Sequence, residues 1–245
     1  MAVLILGDVH ANLAALDAVI EAAGEFEAIW CLGDTVGYGP QPNECVSLIR
    51  ARASATLVGN HDLGCLGTLS LANFNREARI ANEWNGEQLT PEHREFLLGL
   101  EPIQRVDDQV TLAHGSPRDP VWEYLLDTES ATTSLDHFDT QLCFVGHTHQ
   151  PAIYTADDGA DSQCSVTIPT DQMVLKLKPD KRYIINAGGV GQPRDGDSRA
   201  AFALFDREAQ TVTFRRVIYN IRRTQTLMLD HGLPEILAAR LSFGL

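Results

Sequence analysis

Four short apolar segments of this sequence each end at a glycine: residues 3–6, 28–32, 55–58 and 142–145. Continuous apolar runs of this length are typical of parallel strands that are buried on both faces of a sheet. A polar residue follows each of these glycines directly: Asp8, Asp34, Asn60 and His147. Open α/β sheets bind ligands at the carboxyl ends of their strands, so this recurrence predicts a parallel sheet with a site along one edge.

The residues between the first two strands predict a helix. Apolar side chains recur at helical spacing over residues 13–23, Asn12 can cap the start of this helix, and Gly24 fits its end. A strand, a helix and a second strand form a right-handed βαβ unit, which places Asp8 and Asp34 at adjacent strand ends. Further helices are predicted along the chain: residues 42–52, 74–86, 91–100 and 130–137.

The second half of the sequence predicts more antiparallel strands and a long polar stretch. Strands are expected over residues 102–106, 109–113, 173–177 and 183–185, with an antiparallel hairpin from 201–205 and 212–217. Residues 155–170 are rich in Asp, Gly, Ser and Thr, which indicates a long loop or an irregular hairpin. Residues 221–241 predict one terminal helix, weakened by Gly232 and Pro234. Because no internal repeat or long linker is evident, we expect a single domain over residues 1–245.

The charge and cysteine content restrict the partners. The formal net charge is −14, and such a surface repels large nucleic acids and anionic membranes at long range. No stretch approaches the ~20 apolar residues of a membrane span, and no signal peptide is evident. The five cysteines are scattered without a CxxC pair, which favours a reducing compartment and a cytoplasmic location. A phosphate ligand would need local positive charge, for which a metal ion is the obvious source.

Histidines cluster behind the predicted strands, apart from three that we interpret as surface side chains: His93, His137 and His231. With two aspartates and an asparagine, four of the five clustered histidines supply seven candidate metal ligands: Asp8, His10, Asp34, Asn60, His114, His147 and His149. This mixture without cysteine suits Mn, Fe, Co or Zn. One tetrahedral zinc needs only about four ligands, so seven candidates indicate two divalent metal ions that share a carboxylate.

The order of these motifs resembles that of the calcineurin-like metallophosphoesterase family, especially its smaller bacterial and archaeal members. Five blocks carry the resemblance: Asp8-Val9-His10, Gly33-Asp34, Gly59-Asn60-His61-Asp62, His114 and Gly146-His147-Thr148-His149. The resemblance implies an α/β fold, a four-layer αββα sandwich of two mixed sheets flanked by helices. It also implies a dinuclear site, with one metal held by Asp8, His10, Asp34 and His149. The other metal would be held by Asp34, Asn60, His114 and His147, so Asp34 would bridge the two.

Three further residues receive roles in this reading. A hydroxide that bridges the metals would attack phosphorus in line. His61 is expected to be the general acid or a transition-state stabiliser, with Asp62 as the carboxylate that orients it. Arg194 is the basic candidate for bidentate phosphate recognition, although pairing with Asp195 or Asp197 is an equal alternative.

These features predict metal-dependent hydrolysis of phosphate esters with a small phosphorylated substrate. The motifs leave open whether that substrate is a phosphomonoester, a cyclic or linear phosphodiester, or a dinucleoside polyphosphate. The principal alternative is a non-catalytic scaffold that keeps the fold and the metals, although the presence of His61 favours the enzyme. A nuclease would need a basic groove, and the net charge of −14 weighs against one. The oligomeric state is left open.

Overall fold

The computed structural model describes residues 2–159 and 162–245. In chain order, their strands and helices are β1 (Ala2–Leu6), α1 (Leu13–Ala23), β2 (Ala28–Cys31), α2 (Pro42–Arg52), β3 (Ala53–Thr56), α3 (Asn60–Leu66), α4 (Arg76–Gln88), α5 (Pro91–Leu98), β4 (Ile103–Arg105), β5 (Val110–Ala113), α6 (Thr128–Ser134), β6 (Leu142–Val145), β7 (Ala152–Asp157), β8 (Ser165–Thr167), β9 (Val174–Lys176), β10 (Lys181–Asn186), β11 (Ala200–Asp206), β12 (Thr211–Val217), α7 (Ile221–Asp230) and α8 (Glu235–Arg240). Two short 3-10 helices precede α4 and follow α6: Leu71–Asn73 and Leu135–His137.

The strands form two mixed sheets of six strands each. The first sheet has the order β3-β2-β1-β11-β12-β9, in which β1, β2 and β3 are parallel and the other pairs are antiparallel. The second has the order β4-β5-β6-β10-β7-β8, in which β5, β6 and β10 are parallel. The parallel strands lie in the middle of the second sheet, whereas in the first sheet they form one half, from the edge strand β3 to the central strand β1.

The two sheets pack face to face, with helices on their outer faces. Along β1, Val3 and Ile5 point into the core between the sheets, and Leu4 and Leu6 point to the opposite face, as the two-residue period of a strand requires. That outer face is covered by α1 and α2, and α6 covers the outer face of the second sheet. The predicted four-layer αββα sandwich is therefore confirmed.

Several predicted element bounds need correction. The third strand ends at Thr56 rather than Val58, because the Val58 N–H leaves the ladder and donates to the carbonyl oxygen of Glu101 at 3.1 Å. The residues after it were not predicted to be helical, yet they form α3. Residues 155–170, predicted as a long loop or an irregular hairpin, take part in an antiparallel hairpin of β7 and β8. Ala160 and Asp161 lie outside the described residues.

The single terminal helix was predicted wrongly, because α7 and α8 are separate helices. Gly232 has a φ of 70°, which ends the first helix, and Pro234 caps the second. Both helices pack on α4 through one apolar cluster. Among the described helices, none combines the length and the apolar character needed to cross a lipid bilayer.

Candidate metal centre

The seven predicted ligands meet at the carboxyl ends of parallel strands from the two sheets. The first sheet contributes four of them, after strands β1, β2 and β3: Asp8, His10, Asp34 and Asn60. The second contributes three, after β5 and β6: His114, His147 and His149. None of the seven side chains is more than 2% exposed. Both sheets are therefore needed to build the site, and neither sheet supplies a complete set of ligands.

The ligand atoms form two groups that share Asp34. Within each group, one ligand atom per residue lies within 4.8 Å of all the others, and the two groups are Asp8, His10, Asp34 and His149, and Asp34, His114 and His147. Asn60 Oδ1 joins the second group, because it lies 3.1 Å from His114 Nε2. Asp34 Oδ2 lies 3.7 Å from His10 Nε2 and 3.5 Å from His114 Nε2. The described geometry thus brings all seven predicted ligands together around one shared carboxylate.

Each aspartate leaves one carboxylate oxygen without a hydrogen bond. Asp34 Oδ1 accepts from the backbone N–H of His61 at 2.8 Å, and Asp8 Oδ1 accepts from that of His147 at 3.0 Å. The other oxygen of each carboxylate is buried and has no hydrogen-bond partner among the described residues. A buried charged atom without a partner is costly. The residues therefore fit bound cations, which would occupy the space that these oxygens face.

The pKa values of the candidate ligands also agree with cation binding. Burial raises the pKa of Asp8 to about 7, with a smaller lowering by His114 and a smaller raising by Asp34. Burial also raises the pKa of Asp34 to about 7. The imidazole pKa values of His10 and His149 fall well below their usual range, chiefly because of burial. A divalent cation would favour the ionised carboxylates and bind the lone pairs of the neutral imidazoles.

Backbone carbonyl groups orient four imidazole rings. Nδ1 of His10 hydrogen bonds to the carbonyl oxygen of Val36 at 3.2 Å, and Nδ1 of His114 to that of Leu32 at 2.8 Å. In the same way, Nδ1 of His149 bonds to Gln192, and Nε2 of His147 bonds to Trp122 at 3.3 Å. Each ring donates an N–H to a carbonyl, which leaves the lone pair of its other nitrogen for a cation. These carbonyl partners have no signature in the sequence.

His61 lies beside the ligands, but Asp62 does not orient it as predicted. Both oxygens of Asp62 accept backbone N–H groups at 2.9 Å, one from Val36 and one from Gly59. Asp62 therefore joins two ligand-bearing loops, and burial raises its pKa to about 7. The partner of the His61 ring is Asn82, whose Oδ1 lies 2.8 Å from Nδ1 of His61.

Sequence reasoning missed Asn82, because residues 74–86 were predicted only as a helix and no functional residue was assigned to them. A signal was present, since the buried face of α4 combines small and polar residues at helical spacing: Ala78, Ala81, Asn82 and Asn85. Asparagine is unusual at a fully buried helical position. A polar residue on the face of a helix that should be apolar would have marked this position.

Arg194 is not paired with Asp195 or Asp197, which were the predicted alternatives. Those carboxylates instead contact Arg216 and Arg199. The Arg194 guanidinium donates to Gln192 Oε1 at 2.8 Å and lies 5.7 Å over the ring of Tyr38. It has no carboxylate partner among the described ion pairs, and its charge lowers the pKa of Asp34. Arg194 therefore contributes positive potential to the centre.

Aromatic rings contact two imidazoles of the centre, those of His61 and His147. The Tyr38 ring lies 4.3 Å from that of His61, and the Phe74 ring lies 4.9 Å from it. Tyr124 stacks on His147 at a centroid distance of 3.9 Å and is 45% exposed. These rings limit the access of water to the imidazoles and hold them in place.

The chain is similar to phosphoesterases along its length. Residues 1–210 match the calcineurin-like phosphoesterase superfamily domain. A metallophosphoesterase from Sphaerobacter thermophilus, known from a crystal structure, is 50% identical, with a TM-score of 0.91 over 100% of this chain and 99% of its own. An uncharacterised protein of Methanocaldococcus jannaschii is 36% identical over 99% of this chain and 98% of its own. A symmetrical bis(5'-nucleosyl)-tetraphosphatase of Pectobacterium carotovorum is 30% identical over 50% of this chain and 46% of its own.

Proposed function

Because the chain belongs to the calcineurin-like phosphoesterase superfamily, we propose that it hydrolyses phosphate esters with a dinuclear metal centre. The observation that carries this proposal is the pair of buried carboxylate oxygens without partners, on Asp8 and Asp34. They lie within two groups of candidate ligands that share Asp34. A centre built only for stability would have no reason to leave two buried charged atoms unpaired.

Two sets of residues would hold the metal ions. One ion would be held by Asp8, His10, Asp34 and His149, and the other by Asp34, Asn60, His114 and His147. Two divalent ions, when bound, lower the pKa of water and stabilise negative charge on phosphoryl oxygens. Mn, Fe, Zn and Co all suit these nitrogen and oxygen ligands. Two divalent ions and two aspartates leave a positive centre inside an acidic protein, which attracts a small phosphate ester and not a polyanion.

Arg194 and His61 would act on the substrate. The guanidinium of Arg194 has no carboxylate partner within residues 2–159 and 162–245 and donates to Gln192 Oε1, so it can bind two phosphoryl oxygens as a fork. Nε2 of His61 has no hydrogen-bond partner among the described residues. Burial lowers the pKa of the His61 imidazole to about 3, so a proton taken up by this nitrogen is readily given to the leaving oxygen while the bond between that oxygen and phosphorus breaks. Asp62 would act indirectly, because it holds the loops of Val36 and Gly59.

The substrate is proposed to be a small phosphate ester. The likeness to a symmetrical bis(5'-nucleosyl)-tetraphosphatase covers half of this chain. Dinucleoside polyphosphates therefore belong in the substrate panel, beside simple phosphomonoesters and phosphodiesters. The acidic chain, with its net charge of −14, is a poor match for long nucleic acids.

The test is hydrolysis by metal-free protein that is reloaded with Mn, Fe, Zn or Co. The substrates are p-nitrophenyl phosphate, bis-p-nitrophenyl phosphate and diadenosine tetraphosphate. Asp34→Asn should abolish turnover, and Arg194→Gln should raise KM about tenfold by removing one bidentate contact. Arg105→Gln is the matched control, since Arg105 is exposed, forms ion pairs with the exposed Asp108 and Asp139, and donates a hydrogen bond to the carbonyl oxygen of Asp107. Two bound ions per chain without turnover of any ester would refute the enzyme and favour a metal-binding scaffold.

A further inference from the structure

Helix α4 presents two asparagines to the loops of the centre, Asn82 and Asn85, and both are completely buried. Both polar atoms of the Asn85 side chain are hydrogen-bonded. Its Oδ1 accepts the N–H of Gly37 at 3.1 Å, and its Nδ2 donates to the carbonyl oxygens of Gly39 and Ala81, each at 3.0 Å. Asn85 therefore has an evident structural purpose, since it fixes α4 to the loop that follows Asp34.

Only one of the two polar atoms of the Asn82 side chain has a hydrogen-bond partner among the described residues. Its Oδ1 accepts from Nδ1 of His61 at 2.8 Å and lies 3.7 Å from Sγ of Cys65. Its Nδ2 is buried without a hydrogen-bond partner among the described residues. An unpaired buried amide opposes folding. The contact with His61 is therefore retained at a cost to stability, which is the pattern expected of a functional contact.

The loop opposite α4 leaves space for this contact. A Cβ atom at Gly37 would lie 2.8 Å from Asn82 Oδ1 and 2.9 Å from Nδ1 of His61. Such a side chain would push the two partners apart. Asn85 holds Gly37 at this position. The loop, the glycine and the helix are thus arranged around a single hydrogen bond.

We propose that Asn82 is the positioning residue of His61, and this inference rests on the proposed function. A carboxamide oxygen can only accept, so it keeps the ring proton on Nδ1. Nε2 is then the nitrogen that faces away from α4, toward the centre. The same hydrogen bond is made whether or not Nε2 is protonated, so the ring need not turn during the reaction. Asn82 thereby fixes both the direction and the tautomer of His61.

The tautomer can be measured without any metal or substrate. In metal-free protein labelled with ¹⁵N-histidine, long-range ¹H–¹⁵N spectra separate the two tautomers, and His61→Gln identifies the His61 signals. We expect the proton on Nδ1 in the wild type and in Asn82→Asp, which keeps the acceptor. Asn82→Leu should populate the Nε2–H form. A wild-type ring with its proton on Nε2, or an unchanged tautomer in Asn82→Leu, would overturn the proposal.

Kinetics provide a second readout that a purely structural role would not produce. Asn82→Leu should lower kcat about 10- to 100-fold on phenyl phosphate. It should lower kcat little on 2,4-dinitrophenyl phosphate, whose leaving group needs no proton. KM should not change, and the melting temperature should be equal or higher, because the unpaired amide is gone. Asn82→Asp should retain most of the activity on both esters.

Asn85→Leu is the matched control on the same helix face. Because the three described side-chain hydrogen bonds of Asn85 all go to backbone groups, its loss should lower the melting temperature and reduce kcat on both esters alike. Equal losses on both esters in Asn82→Leu would overturn the positioning role. A wild-type protein that hydrolyses no ester would instead refute the proposed function, and the tautomer measurement would still decide the role of Asn82.

Discussion

A cation held by Asp8, His10, Asp34 and His149 should bind much more weakly below pH 7, because protons compete with it for the two carboxylates. The pKa values of Asp8 and Asp34 are about 7 in the metal-free protein. Below pH 7, both groups must therefore release a proton before they bind a cation. Burial lowers the pKa values of His10 and His149 well below 6.5 and that of His147 to about 2. These shifts favour the neutral imidazoles, so protons compete with the metal less for these three rings than for the two carboxylates.

The size of the effect follows from the two carboxyl groups. With a pKa of about 7 for each, proton competition lowers the apparent affinity by about 1.5 log units per group at pH 5.5 and by roughly 0.1 at pH 7.5. The ion between Asp8 and Asp34 should therefore bind roughly a thousandfold more weakly at pH 5.5, or by about 4 kcal/mol. As the pH falls below 7, log Kd should rise by up to about two units per pH unit, which corresponds to two protons released on binding. Above pH 7, log Kd should be independent of pH.

Isothermal titration calorimetry with Mn or Zn from pH 5.5 to 8 measures this slope. Each titration is repeated in two buffers of different ionisation enthalpy, which counts the protons released. Asp8→Asn should reduce the slope by one proton, because the amide does not titrate. His149→Gln should weaken binding and leave the slope unchanged. A flat profile for the wild type, or an unchanged slope in Asp8→Asn, would refute the reasoning.

Three further predictions concern stability. In metal-free protein at pH 8, Asp34→Asn should raise the free energy of unfolding by up to about 4 kcal/mol. The reason is that a buried group with a pKa of about 7 no longer has to ionise. Urea unfolding measures this change, and a lower unfolding midpoint in the variant would contradict it. Gly191→Ala should destabilise by about 1–3 kcal/mol, since its Cβ would lie 1.8 Å from a backbone oxygen, whereas Gly99→Ala meets nothing nearer than 3.5 Å and should be neutral. Asn85→Ala should cost about 1–3 kcal/mol in thermal unfolding at a fixed metal concentration, because it leaves loop N–H and carbonyl groups unpaired.

The elements that local pattern determines were predictable from the sequence. Helix α1 has the predicted bounds, 13–23, because its apolar spacing and its caps agree. Helix α2 and strand β6 likewise match 42–52 and 142–145. The convergence of polar residues at strand ends was predictable for the same reason, since the parallel ladder of β1 and β2 brings Asp8 and Asp34 to one edge.

Contacts between distant parts of the chain could not be predicted in this way. Strand β1 also pairs with β11, about 200 residues later, in the register Leu4 to Leu204, and no local pattern encodes that choice. The role given to Asp62 failed for a similar reason. A carboxylate next to His61 in sequence seemed its natural partner, but as the third residue of α3, Asp62 points back to the N–H of Gly59. The His61 ring instead hydrogen bonds to Asn82, which lies 21 residues away on another helix.

Backbone strain at the ligands connects the stability of the fold to its chemistry. Five of the seven candidate ligands have a positive φ: Asp8 54°, His10 48°, Asp34 50°, His147 65° and His149 58°. Left-handed backbone costs such residues about 1–2 kcal/mol each, and the two unpaired carboxylate oxygens add to this. Strands with fully buried side chains, such as Leu4 and Leu6, precede these turns and hold them in place. A metal-free centre therefore opposes folding, and the cations that satisfy its oxygens should restore part of that stability, which couples metal binding to folding.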